Sequence, residues 1–153
     1  METATDAADV SAKKNSKTVE TIESVEFSVV KSGADSGYKK AQNSIIGSQR
    51  EMDMTWEKLY GNLSRKPPIP MVDFSTKQLL LVTMGEQPSG GYSISVREVS
   101  QHSRGVVVTI EDAKPGKSCI NTSVLTYPFQ LIEMSRVAAE MSYVRIAKVN
   151  ECD

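Results

Sequence analysis

The chain has 153 residues, enough for one domain with a real core, and no internal repeat suggests a second. Apolar residues are 39% and charged residues 24%, which fits a soluble globular protein. The formal net charge is −1, so no bulk field draws nucleic acid or an anionic membrane surface. No apolar run approaches the length of a membrane span.

Residues 1–18 are rich in Ala, Thr, Asp and Lys and bury too little to order themselves, so they read as a disordered tether ahead of a single β domain over residues 19–153. They contain no hydrophobic export segment. Two readings follow, a cytoplasmic protein with a frayed start or a mature chain whose export signal has been removed.

From residue 19 the pattern turns to strands. Val25, Phe27 and Val29 alternate with polar residues, and Ser44, Ile45 and Ile46 make a short second strand. Ser48 and Glu51 then form an S-x-x-E capping box. Met52, Trp56, Leu59 and Tyr60 follow on one helical face, which predicts one α-helix over about residues 48–60, ended by Gly61 and Asn62. Pro67, Pro68 and Pro70 make a stiff extended link.

Leu79, Leu80, Leu81 and Val82 are a buried-strand run. Gly85, Pro88, Gly90 and Gly91 then shape a loop, after which Tyr92, Ile94 and Val96 alternate with Ser93, Ser95 and Arg97. This reads as a β-hairpin stiffened by Pro88. Residues 106–110 are a β-branched strand, residues 123–126 resume extended structure, and residues 130–134 continue it beyond Pro128. Pro128 predicts an edge strand or a bulge near Tyr127, and the Tyr127–Pro128 bond is a candidate for cis with trans the better expectation. Residues 143–149 are the last strand. The sum is a mainly β, compact, mostly antiparallel sandwich- or barrel-like domain of about seven strands, with the helix over one end or edge.

The chemistry offered is contact rather than reaction. The one histidine, His102, sits in a polar turn, and neither a phosphate loop nor a G-x-S-x-G elbow occurs, so the sequence predicts no enzyme, no cofactor and no metal. Cys119 and Cys152 are far apart and not in a zinc spacing. They are either bridged, which requires an oxidising compartment, or two unpaired thiols. The polar terminus around Cys152 gives a free thiol no packing role. Tyr92 closes its loop with a ring that can pack while offering a hydroxyl, and the glycines beside it would admit another backbone.

Several motifs together resemble one family. They are a W-x-x-L helix at Trp56 and Leu59, Pro70-Met71-Val72-Asp73-Phe74, the run G-E-x-P-[ST]-G-G-Y-S-I from Gly85 to Ile94, Pro115 and Gly116 ahead of Cys119, and Thr126-Tyr127-Pro128-Phe129. This pattern is similar to the PrcB C-terminal domain, named for a non-catalytic subunit of a secreted bacterial protease complex. Ser89 stands where relatives often carry threonine, which keeps the hydroxyl. The resemblance implies a non-catalytic, protein-binding module of the cell envelope or a secreted one, with a protease as the partner class and a lipid anchor in the native precursor. Polar tethers like residues 1–18 are common in mature relatives, which favours the mature-chain reading and the bridge, with a cytoplasmic location as the alternative.

A weaker likeness is to chagasin-type inhibitors of cysteine proteases, Ig-like sandwiches that block a cleft with two loops. Gln87, Pro88, Ser89, Gly90, Gly91 and Tyr92, with Tyr127, Pro128 and Phe129, echo those loops, with a glycine in place of the second threonine. This second likeness suggests the contact surface, on Pro88, Ser89, Gly90, Gly91, Tyr92, Tyr127, Pro128 and Phe129. The competing readings are a cleft-blocking inhibitor and a domain whose motifs serve only to fold. The contact reading requires both loops at the same end of the domain.

Overall fold

The computed structural model describes residues 22–61 and 63–152; the tether expected over residues 1–18 lies outside them. The described residues form strands β1 (Glu23–Ser24), β2 (Phe27–Gly33) and β3 (Ala41–Ile46), helix α1 (Gln49–Tyr60), then β4 (Lys77–Met84), β5 (Ser93–His102), β6 (Gly105–Pro115), β7 (Phe129–Ser135) and β8 (Met141–Asn150). One sheet has the order β1-β5-β6-β8 and the other β2-β7-β4-β3. The fold is therefore a two-sheet sandwich with a helix, as the alternation of apolar residues predicts, and the barrel alternative falls away.

The reason for this layering lies in β4. Leu79, Leu80, Leu81 and Val82 are all 0% exposed. Successive strand residues point to opposite faces, so an unbroken apolar run needs cover on both sides. Leu79 and Leu81 join Met52, Trp56, Leu59 and Tyr60 of α1, together with Ile46, Phe129 and Leu131. Leu80 and Val82 join Ile132 and Met134 against Ile94, Val96, Val99, Val106, Val108 and Ile110 of the facing sheet. The helix thus lies over a sheet face, not over an end or edge as expected, and the molecule has three layers.

The helix starts as the capping box predicts. Ser48 is extended, and its hydroxyl accepts the Glu51 N–H at 3.1 Å. The Glu51 carboxylate reaches one residue further back than the motif requires, accepting the Gly47 N–H at 2.7 Å. Trp56 is buried, and its indole N–H donates to the Pro67 carbonyl at 2.8 Å, so the proline link pins the helix as well as spacing it.

Three expectations are corrected. The run from Leu79 to Val96 is not a hairpin: β4 and β5 belong to different sheets, and residues 85–92 cross between them. β4 pairs instead with β3 and β7, which bury its two edges as the helix and facing sheet bury its two faces. The sandwich is mostly antiparallel, as expected, the exception being β8, which comes over from the opposite sheet to pair parallel with β6. Residues 123–126 are not a strand, although Thr126 bridges to Gln87. Pro128 lies immediately ahead of β7, an inner strand rather than an edge, and its carbonyl still accepts the Met84 N–H at 3.0 Å. The Tyr127–Pro128 bond is trans.

Two polar side chains work between the sheets. β5 bulges between Val96 and Glu98, which leaves the Val96 N–H facing inward; the buried Gln130 of β7 accepts it at 2.7 Å. At the open side, Arg145 of β8 turns inward and donates to Asp112 at 2.9 Å, to the Asn43 side chain at 2.8 Å and to the Thr83 carbonyl at 3.0 Å. One guanidinium so ties β6 and β8 to β3 and β4. Replacing Gln130 with Ala strands a buried donor, and we expect a loss of about 1–3 kcal/mol in urea unfolding with an unchanged denaturant slope; a loss below about 0.5 kcal/mol would show that the bulge does not need its acceptor.

Candidate functional site

The two loops expected to share a surface meet at one end of the sandwich. Residues 85–92 leave β4 there and residues 116–128 leave β6 there, beside the C-terminal end of α1. They are laced together. The Gln87 N–H donates to Thr126 O at 2.8 Å and the Thr126 N–H returns to Gln87 O at 3.0 Å. The Thr126 hydroxyl donates to Ser89 O at 2.8 Å, and the Gly90 N–H to Thr122 O at 3.0 Å. Residues 34–36 join the set, since Tyr127 N–H donates to Ala34 O and Ser36 N–H to Tyr127 O.

This lacing decides what the glycines do. Gly91 has φ +91°, and a Cβ on it would lie 2.4 Å from Asn121 Oδ1; a Cβ on Gly90 would lie 2.6 Å from Thr122 Oγ1. The room they leave is filled by the chain's own neighbouring loop, not held open for another backbone. Ser89 is half-buried, and its hydroxyl donates to Gly90 O at 2.9 Å.

The remaining expected contact residues divide. Pro88 is exposed, and Tyr92 and Tyr127 are half-buried. Pro128 is buried, and Phe129 is 3% exposed with its ring edge-on to Tyr60 at 6.4 Å. These two are core residues, which corrects their place on a contact surface. Phe129 lies two residues before Leu131 and shares its face, so its ring points at the helix.

Sequence reasoning missed the most exposed apolar side chains at this end. Ile120 is 100% exposed, Val124 61% and Leu125 50%. They lie on the same segment as Thr122 and Thr126, whose hydrogen bonds hold it to residues 87–90, and as Asn121, which packs against Gly91. The signal available was an isoleucine in a polar loop, between Cys119 and Asn121, with no periodic partner. Cys119 and Cys152 are joined in a disulfide with Cα atoms 4.9 Å apart, so the start of this segment is fastened to the end of β8. Ser118 reinforces the junction by accepting the Cys152 N–H at 3.1 Å.

Tyr127 donates its hydroxyl to Glu86 at 2.9 Å. That bond, then partial desolvation and the negative charge of Glu86, push the phenol above its ordinary value. At the far end of the sandwich, His102 Nε2 lies 2.8 Å from the buried Ser100 hydroxyl, away from the laced loops. Among the described residues no group of three His, Cys, Asp or Glu side chains could hold a metal ion, and no helix is long and apolar enough to cross a membrane.

Residues 79–135 match the family model described as PrcB C-terminal, the family the sequence motifs resemble. The match runs from within β4 to the end of β7 and contains both laced loops. No curated protein and no solved structure matches the chain.

A raised tyrosine value means that folding favours the neutral phenol. The contribution of the Tyr127–Glu86 bond is therefore present below the unfolded tyrosine value of about 10 and is lost as pH rises through the higher folded value. We expect the ring carbon resonances of Tyr127 to titrate later than those of an unperturbed tyrosine, and Glu86→Gln to move the midpoint down. An unchanged midpoint in that variant would remove Glu86 as the cause.

Proposed function

We propose that this chain is a non-catalytic, protein-binding module of the bacterial cell envelope, an accessory component of a secreted protease complex. Its contact surface is the laced end of the sandwich. Pro88, Tyr92 and Tyr127 contribute from the expected motifs, and Ile120, Val124 and Leu125 supply the apolar centre. The observation that carries this reading is the full exposure of Ile120 on a segment held by a disulfide and by hydrogen bonds to the neighbouring loop. Apolar side chains held rigidly in water cost little further ordering on binding, so their burial against a partner is converted efficiently into affinity.

The PrcB C-terminal match over residues 79–135 supports a protease complex as the partner class. The disulfide supports an oxidising compartment, which fits an envelope or secreted location better than a reducing cytoplasm. Cleft blocking of the chagasin kind is the weaker reading. The glycine pair is covered by residues 121–122 and Phe129 is in the core, so neither loop presents the tip that such a mechanism needs.

A photo-cross-linking residue at Ile120, compared with one at the exposed Met54 on the helix, tests the surface in the native organism. The expected result is an adduct to a protease, or to a protein bound to one, at position 120 and not at position 54. No adduct at position 120, or the same adducts at both, would defeat the proposal.

A further inference from the structure

The laced end does not account for β8. This ten-residue strand contains neither proline nor glycine, and within the described residues it is paired on one side only, to β6. Long edges of this kind template pairing with another strand unless something blunts them. Its solvent-facing side chains include Val144 and Ile146, both exposed.

The ladder to β6 decides which backbone groups of β8 face outward. The Val106 N–H donates to Glu140 O and the Gly116 N–H to Asn150 O, which fixes the phase of the parallel ladder. Even-numbered residues of β8 turn their backbone groups towards β6. Met141, Tyr143, Arg145, Ala147 and Val149 therefore turn theirs to the open edge.

The geometry points to a second copy of this chain on that edge, joined by an antiparallel β8–β8 pairing about a two-fold axis at Val144. This register makes Val144 face its own copy as a non-hydrogen-bonded pair, while Tyr143 and Arg145 exchange backbone hydrogen bonds with their counterparts. Glu140 and Lys148 lie equally far from Val144 on either side, so the axis sets Glu140 of each copy opposite Lys148 of the other. Both side chains are exposed; Lys148 shares the solvent-facing side of β8 with Val144, and Glu140, the residue just ahead of the strand, continues the same parity. A two-fold at Arg145 would instead set Lys148 against Ser142, and one at Ile146 would set Lys148 against Val144, leaving the charges unpaired. Only the Val144 axis is self-complementary in charge, and isologous pairing requires self-complementarity.

Pairing in this way fuses the two four-stranded sheets into one continuous sheet. The laced ends then lie at opposite ends of the dimer, each open to its own partner, so the dimer is independent of the proposed protease contact.

Sedimentation of the full chain from about 1 µM to about 1 mM is the test. The expected result is a concentration-dependent dimer that K148E weakens about tenfold, through two like-charge pairs, and that the double variant E140K/K148E restores. Circular dichroism confirms that each variant is folded. Val144→Cys supplies a second arm. Cα atoms in a non-hydrogen-bonded antiparallel pair lie about 4.5 Å apart, within disulfide reach, so this variant should cross-link between copies in air. Val124→Cys, more exposed but off the axis, should not. A wild-type monomer across the range, a dimer indifferent to K148E, a folded double variant that stays monomeric, or cross-linking at position 124 rather than 144 would each overturn the proposal.

Discussion

Leu79, Leu80, Leu81 and Val82 have no accessible surface, and the architecture follows from that requirement. A strand apolar at every position cannot rest one face on water. It is covered by the facing sheet at Leu80 and Val82, by α1 at Leu79 and Leu81, and at its edges by β3 and β7. Each fully buried leucine contributes about 1.5–3 kcal/mol relative to an exposed one, so a chain that left this run half-covered would forfeit a large part of a typical domain's stability. The helix is present because the second face of this sheet needs a lid.

The same requirement shapes the laced end. Because β4 is enclosed on both edges, the next strand has no place beside it, and the chain must cross to the other sheet through residues 85–92. A crossing over the end of a sandwich carries backbone groups that neither sheet can pair. Residues 116–128 satisfy them, through Gln87, Ser89, Gly90 and Thr126. The glycine pair is the condition for that approach, and the disulfide secures the far side of the partner loop. What remains free is a short run of apolar side chains with nowhere inside to go. Most residues that make the motif recognisable thus build the platform, and Ile120, Val124 and Leu125, outside the motif, are the apolar side chains it leaves exposed.

The helix was legible in full, because Ser48, Glu51 and the spacing of Met52, Trp56, Leu59 and Tyr60 are local signals that tertiary structure did not override. The strand at residues 106–110 was legible for the same reason, since five β-branched residues follow one another there; its continuation to Pro115, where Lys114 and Pro115 read as a loop, was not. Which strand lies beside which was not. The pattern of Tyr92, Ile94 and Val96 states that one face is buried but says nothing of the neighbour, and a glycine loop serves a hairpin or a crossover equally well. Phe129 was misread because its neighbour Pro128 suggests a surface turn, whereas its parity with Leu131 places it under the helix. Ile120 escaped notice because exposure of a lone apolar residue leaves no periodic trace. The inward aim of Arg145 and Gln130 depends on a bulge and an edge that exist only once the sheets are assembled.

The central claim is that residues 85–92 and 116–128 form one locked platform rather than two independent loops. Amide hydrogen exchange followed by NMR tests it directly, because the Gln87, Gly90 and Thr126 N–H groups each bond across the two loops. The account predicts that these three amides exchange far more slowly than the solvent-facing amides of the same loops, in step with one another and faster than those of β4. Exchange of all three at the rate of an open chain, with β4 still protected, would show that the loops are not joined and that their residues do not present a single surface.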